Sequence, residues 1–280
     1  MAEEVLGGYK MLRHLVTGQT SQVWEVVEAN SGRHFAMKIL LKEKAKEKAQ
    51  RNFLLHEAKV GKELAHPNII RIYKVNKSPA NPFFVMEFFP AGNMKLRIVR
   101  KEEDFIREHA HNFIKMGATA LAFMNASGWV HRDVKPDNFL VSSGGDLRLI
   151  DFALAVRKQS DGFFARLFAK KGKAQGTRSY MSPEQIRAKP LDGRADIYSF
   201  GATCYELLTG RPPFRGNSSQ ELLTKHILER PVSPTNHNPD LTPEIGDLVL
   251  HMLAKKKEDR PKNFHEVLRA LQQIQIYKRA

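Results

Sequence analysis

Residues 131–141 read HRDVKPDNFLV, placing two carboxylates (Asp133, Asp137), one ammonium (Lys135) and one amide (Asn138) on a short stretch that turns apolar at Phe139. Asp151 follows eighteen residues after Asp133, at the end of the apolar run LRLI. Carboxylates and an amide carbonyl are oxygen ligands suited to Mg²⁺, which accepts one or two protein carboxylates and completes its shell with phosphate oxygens. That donor set fits phosphoryl transfer, where positioning and charge neutralisation supply most of the catalysis. The stretch must then be a loop held between rigid elements, which is where catalytic groups are usually presented.

The elements that would hold it are legible on both sides. YKMLRHLV, QVWEVVEA and HFAMKILL mix β-branched, aromatic and apolar residues between breaks at Gly18 and Asn30-Ser31-Gly32, which predicts successive antiparallel strands with a hairpin between the second and third. From Lys42 to Leu64 the residues Phe53, Leu54, Glu57, Val60 and Leu64 recur at helical spacing, predicting one charged helix. NIIRIYKV and PFFVMEFF return to strand character. After Pro90-Ala91-Gly92 the pattern becomes helical, over 102–126, 194–209, 219–229 and 243–254, with the short strands FLV and LRLI beside the polar loop. A mostly β part over residues 1–90 followed by a mostly α part over 91–280 predicts a two-lobed α+β protein.

Composition narrows the setting. Of 280 residues, 45 are Lys or Arg and 30 are Asp or Glu, a net charge of +15 that calls for an anionic partner. The basic residues are dispersed and no nucleic-acid recognition motif accompanies them, so nucleic acid is not the expected partner. Cys204 is the only cysteine, which excludes an intrachain disulfide and points to a reducing compartment, the cytoplasm or the intracellular part of a longer protein. No apolar run reaches the roughly 18 residues of a bilayer span, and the acidic start Met1-Ala2-Glu3-Glu4 is unlike a signal peptide. The eleven histidines are scattered and make no zinc cluster.

With these residues in view, the sequence resembles the eukaryotic-type serine/threonine protein kinases from Tyr9 to about Ile276. HRDVKPDN matches the catalytic loop, DFA at 151–153 stands where D-F-G is usual, and SPE at 182–184 stands where A-P-E is usual. FAMK, ending at Lys38, matches the third-strand lysine motif, and Glu57 lies nineteen residues on. The opening GGYKMLRHL looks most like the bacterial members. The resemblance implies a small antiparallel-sheet lobe with one main helix, a larger mostly helical lobe, ATP and Mg²⁺ as cofactors, and a protein substrate.

It also implies roles. Lys38 would hold the α and β phosphates, aligned by Glu57; Asp133 would take or orient the proton of the substrate hydroxyl; Lys135 would steady the transferring phosphate; Asn138 and Asp151 would ligate Mg²⁺. Lys135 and Thr177 belong to the serine/threonine form of the family, with Thr177 contacting Asp133 and Lys135. In MEFF, Met86 is at the gatekeeper position and the backbone of Glu87 and Phe89 would bind adenine, with Val23, Ala36 and Leu140 against the ring, Val16 and Gly18 in the phosphate loop, and Asn93 at the ribose. The apolar residues among these would equally serve as core. Asp196 resembles the helix aspartate that anchors the catalytic loop, Glu184 and Arg260 resemble a structural ion pair, and His131 is expected to be packed core. Asp137 and Glu206 match positions that can bind a substrate arginine.

The pattern departs from the family in five places. The phosphate loop LVTGQTSQV keeps only its middle glycine, with Val16 and Ser21 at the flanking positions where glycine permits close approach of the backbone. Ala153 replaces the glycine of D-F-G. Gly61 replaces a bulky apolar residue expected to stack with Ile72, Phe152 and His131, which predicts a void worth ~2–4 kcal/mol and a need for support by ligand, activating partner or dimer. No Ser, Thr or Tyr lies between Ser160 and Thr177, so loop phosphorylation is not expected to be the main switch, with Ser160, Thr177 and Ser179 left as candidates. The middle of that segment carries Phe163, Phe164, Leu167 and Phe168 beside Arg166, Lys170, Lys171 and Lys173, a basic amphipathic turn for packing on its own lobe or for touching a membrane or acidic partner. The competing reading is a nucleotide-binding pseudokinase that signals through shape. A small-molecule phosphotransferase is disfavoured by GTRSYMSPE, which resembles a peptide-binding platform.

Overall fold

The computed structural model describes residues 5–158 and 178–278. They form two compact units: Met1–Pro90 with Ile150–Ala153, and Ala91–Leu149 with Leu154–Ala280. The short stretch 150–153, which a single cut at residue 90 would assign to the later part, packs with the first unit.

In the first unit, strands β1 (Val5–Leu6), β2 (Tyr9–Thr17), β3 (Ser21–Glu28), β4 (His34–Leu40), β5 (Ile72–Asn76) and β6 (Phe83–Glu87) make one antiparallel sheet in the order β1-β2-β3-β4-β6-β5. The β3–β4 hairpin expected from Asn30-Ser31-Gly32 is present, closed by Glu28 N–H donating to Arg33 C=O at 3.0 Å. Period-two alternation gives each face its own core. Phe35, Met37, Phe83 and Val85 join Tyr9 and Val26 in one cluster. Leu40, Ile72 and Phe84 pack with Leu54 and Ala58 of the helix in the other.

The single helix expected over 42–64 is two, α1 (Lys42–Ala45) and α2 (Lys48–Glu63), separated at Glu47, whose backbone is extended. Only Ala45 of the first piece is buried, whereas α2 buries Leu54, Glu57, Ala58, Val60 and Gly61. The charge-rich start has little apolar face to hold it in register with the rest. Arg51 Nη1 donates to Ala45 C=O and Lys46 C=O at 2.6 and 2.9 Å, satisfying carbonyls that the break leaves open.

The second unit is mostly helical: α3 (Met94–Val99), α4 (Glu103–Ala126), α5 (Pro183–Ile186), α6 (Gly193–Thr209), α7 (Ser219–Leu228), α8 (Pro243–Met252) and α9 (Phe264–Leu271). Two small sheets join them, β10 (Leu147–Leu149) with β9 (Phe139–Val141) and β7 (Gly92–Asn93), and β11 (Val156–Arg157) with β8 (Trp129–Val130). Polar side chains start the helices: Asn93, Asp192, Ser218, Thr242 and Asn263 each accept from a backbone N–H of the first turn. Helix α6 is buried from Ala195 to Leu208, with α4 and α8 packed against it. Gly201 permits the α8 contact, since a Cβ there would lie 2.8 Å from Met252 Cβ. Such a helix carries a polar side chain only where that side chain is fully bonded. Asp196 is that case.

Candidate active site

Each unit carries one group of the expected residues. In the first, strand register does the placing. Val16 pairs with Val23, Val23 with Lys38, and Ala36 with Met86, so these five side chains share one face of the sheet. Helix α2 packs on that same face through Leu54 and Ala58. It thereby brings Glu57 to Lys38, whose Nζ lies 2.7 Å from both carboxylate oxygens. Burial alone would pull the Lys38 ammonium down, but the carboxylates of Glu57 and Asp151 outweigh it and hold the lysine above its usual value. Lys38 thus remains a cation in a buried place, held by Glu57.

The void expected beside Gly61 is absent. A Cβ on Gly61 would collide with Ile72 Cδ1 and would lie 3.0 Å from Ile72 Cγ1 and 3.1 Å from Phe152 Cδ2. The glycine makes room that these two side chains occupy, and the inference that the active arrangement lacks support there falls with the void. Asp151 sits in the left-handed region (φ 65°), with its Oδ1 accepting from Ala153 N–H at 3.3 Å. Glu87 N–H is engaged with Arg71 C=O at 2.8 Å. The phosphate-loop turn closes through Gly18 N–H to Ser21 C=O at 2.8 Å, and Val16 is 55 % exposed.

In the second unit the polar loop hangs from one buried carboxylate. Asp196 Oδ2 accepts from His131 N–H at 2.8 Å and from Asn125 Nδ2 at 3.0 Å, and its Oδ1 accepts from Arg132 N–H at 2.9 Å. Burial raises the Asp196 carboxyl, and the His131 side chain and these donors pull it back. Arg132 takes a left-handed backbone (φ 68°), and its C=O accepts from Gln185 Nε2 at 2.8 Å. His131 is fully buried, with its Nδ1 3.3 Å from Asp133 N–H, as expected of a packed core histidine.

Asp133 is then oriented by two donors on the same oxygen. Lys135 Nζ lies 2.8 Å and Asn138 Nδ2 3.3 Å from Oδ2, while Asn138 Nδ2 also donates to Asp133 C=O at 2.7 Å. Both side-chain bonds end on Oδ2, which directs Oδ1 away from them. The Asn138 amide nitrogen faces Asp133, so its oxygen points the other way, as an oxygen-seeking cation would require. Asn138 lies in the second unit and Asp151 in the first, each carrying an oxygen donor of the kind Mg²⁺ takes; among the described residues no cluster of three or more His, Cys, Asp or Glu could hold a metal ion.

Leu140 in β9 pairs with Asn93 in β7, placing an expected adenine neighbour beside the expected ribose contact. The Asn93 side-chain oxygen accepts from Leu96 N–H at 2.9 Å and caps α3. Glu184 and Arg260 form the expected bidentate pair at 2.7 and 2.9 Å, fully buried on the arginine side. Thr177, Ser160 and the basic amphipathic turn at Phe163–Lys173 lie outside the described residues.

One expectation is overturned. Glu206 is not open to a substrate arginine: it is 2 % exposed, with Lys95 Nζ donating to Oε1 and the Tyr180 hydroxyl to Oε2. Sequence reasoning also missed Gln185 and Asn125, which hold the loop. Gln185 had a signal, because Ser182-Pro-Glu-Gln185 is a capping box and that box forms. Nothing in the spacing marks Asn125 or Lys95.

Comparison with known proteins agrees with this geometry. The model of the protein kinase domain family matches residues 9–272. A probable serine/threonine-protein kinase of Corynebacterium efficiens is 32% identical over 260 residues, covering 90% of this chain and 39% of that protein. Serine/threonine-protein kinase PknB of Mycolicibacterium smegmatis is 31% identical over 256 residues, covering 90% of this chain and 40% of its own length. A probable serine/threonine-protein kinase of Clostridium acetobutylicum is 29% identical over 266 residues, with 95% and 40% covered. The chain therefore spans about two fifths of the length of these relatives.

Proposed function

The chain belongs to the protein kinase domain family, and on that premise we propose that it transfers the γ-phosphoryl group of ATP to serine or threonine hydroxyls of proteins. The observation that carries the reading is the Asp133 carboxylate, fixed through Oδ2 by Lys135 and Asn138. A general base needs a defined lone pair within reach of the proton it takes, and this arrangement presents Oδ1 for the acceptor hydroxyl. Lys135 lies beside that oxygen pair and offers positive charge to the phosphoryl group as it transfers.

Lys38, kept cationic and aimed by Glu57, holds the non-transferring phosphates. Val16, Val23, Ala36 and Met86 form the apolar face for the base, with Gly18 at the phosphate-loop turn and the backbone at Glu87 and Phe89 its polar edge, while Leu140 and Asn93, paired in the second unit, are assigned to adenine and ribose by resemblance. Asn138 and Asp151 are each assigned to Mg²⁺ by resemblance, and the metal when bound would neutralise phosphate charge. Thr177 is assigned to Asp133 and Lys135 by resemblance alone. Nothing favours the pseudokinase alternative, since the Lys38–Glu57 pair is formed and the space at Gly61 is filled.

No helix among the described residues is long and apolar enough to cross a membrane. We place the domain in the cytoplasm, a reducing compartment that suits a lone, buried Cys204.

The test is phosphoamino-acid analysis of a mixed Ser, Thr and Tyr acceptor after incubation with Mg-ATP. Phosphoserine or phosphothreonine that vanishes on chelation supports the reading; phosphotyrosine alone, or none of the three, contradicts it.

A further inference from the structure

A buried carboxylate needs a cation or several donors, because an unpaired charge away from water is costly. Glu206, near the end of α6, meets that need inside its own chain. Lys95 of α3, 111 residues away in sequence, covers Oε1, and Tyr180 covers Oε2. The two partners differ in accessibility. Tyr180 is buried, and burial pushes its phenol up, with Glu206 first and then Asp137 and Asp133 adding. Helix α3, which carries Lys95, packs against residues Pro136–Asn138 of the polar loop and against α6, which puts this pair near the proposed phosphoryl-acceptor site.

Lys95 keeps 32 % of its side chain exposed, against 2 % for Glu206. Both line an open cavity of about 820 Å³, together with Ile98, Arg107, Leu207 and Tyr277. The lining also carries Glu103, Asp104 and Asp240, but at Glu206 itself the more exposed group is the Lys95 ammonium, with the buried carboxylate behind it. A guanidinium or ammonium on the substrate would have to displace Lys95 to reach Glu206, and would feel like-charge repulsion on approach. A carboxylate or an uncharged side chain would not.

We propose that Lys95 is a specificity-determining residue: it fills the cation position of Glu206 from within, so that the site selects Ser/Thr peptides with an acidic or uncharged residue there and rejects arginine. Specificity of this kind rests on a repulsive element as much as on an attractive one. The inference rests on the kinase reading above and names its substrate class.

The experiment compares the wild type with Lys95→Met, Lys95→Arg, Glu206→Gln and the double variant Lys95→Met/Glu206→Gln on acceptor peptides that carry Arg or Glu at each flanking position in turn. Two readouts are taken: kcat/KM for phosphate transfer, and binding of the same labelled peptides by fluorescence anisotropy. Uncovering Glu206 in Lys95→Met raises the Arg-to-Glu preference ratio at one position by about tenfold, a difference in binding of one charged contact. Lys95→Arg keeps the wild-type profile, and the double variant, with neither charge, loses the gain. A ratio that Lys95→Met leaves unchanged overturns the proposal, as does a wild-type arginine preference abolished by Glu206→Gln alone. Should transfer fail for every protein while the anisotropy ratios shift as stated, the kinase reading falls and the role of Lys95 in selection stands.

Discussion

Lys38 Nζ stands 2.7 Å from both carboxylate oxygens of Glu57, and both residues belong to the unit that also contains Asp151. The bond joins the central strand β4 to helix α2, so it reports that the helix is docked on the face of the sheet that carries Lys38. Lys38→Met removes the phosphate-holding charge and should lower kcat/KM by about 100- to 1000-fold, the scale for losing one preorganised charge partner. Glu57→Gln keeps Lys38 and should cost less than Lys38→Met, as a positioning residue would. Equal losses in steady-state kinetics would contradict that division.

Gly61 is packed, not empty. Replacing Gly with another residue inside a helix ordinarily gains about 0.5–1 kcal/mol of propensity. Gly61→Leu should nevertheless destabilise the domain, by about 1–3 kcal/mol, because Ile72 and Phe152 already fill the space. Denaturant unfolding decides it: a stabilised Gly61→Leu protein would restore the void that the sequence suggested.

The Glu184–Arg260 pair is buried and bidentate, with Arg260 Nε also bonded to Ala254 C=O at 2.7 Å. Arg260→Met leaves a buried carboxylate without its cation and should cost about 3–5 kcal/mol. Glu184→Gln on top of it should recover part of that loss, since the second change removes the stranded charge. Additive losses in a double-mutant cycle would show that the two side chains are not coupled.

His226 supplies a pH dependence. Its ring is fully buried, with Nδ1 3.0 Å from the Tyr198 hydroxyl. Burial, with Lys255 adding, lowers its pKa from the usual 6.5 to about 3. The unfolded chain therefore binds the extra proton between these values. The stability tied to neutral His226 is complete above 6.5 and is lost as pH falls toward about 3. At about 1.4 kcal/mol per pH unit, this group removes about 2 kcal/mol between pH 6.5 and about pH 5. His226→Gln should flatten that part of the stability profile measured by thermal unfolding; an unchanged slope would refute the assignment.

Much of this was legible in the sequence because local signals and global fold agree. The alternation around Phe35, Ala36, Met37 and Lys38 gave both the strand and the face on which Lys38 lies, and HRDVKPDN displayed a loop whose residues do meet around Asp133. Asp196 and the Glu184–Arg260 pair were readable from resemblance, since a polar side chain in an apolar helix needs partners. Three features were hidden for physical reasons. The break at Glu47 depends on which side chains find a core, which helical spacing alone does not report. Gly61 looked like a missing side chain because a sequence shows what a position lacks and not what its neighbours put there. Lys95 and Glu206 lie 111 residues apart in sequence and meet only once the chain between them has folded, and no spacing rule connects them.

The most direct test of the account is phosphate transfer from γ-labelled Mg-ATP to a Ser/Thr acceptor protein by the wild type and by Asp133→Asn. The substitution keeps the size of the side chain and a hydrogen-bonding oxygen, but removes the carboxylate that takes the proton. The account predicts transfer by the wild type and a loss of about 100- to 10,000-fold in the variant, with Mg-ATP binding retained. Wild-type transfer that Asp133→Asn leaves intact, or no transfer from a wild type that binds Mg-ATP, would contradict it.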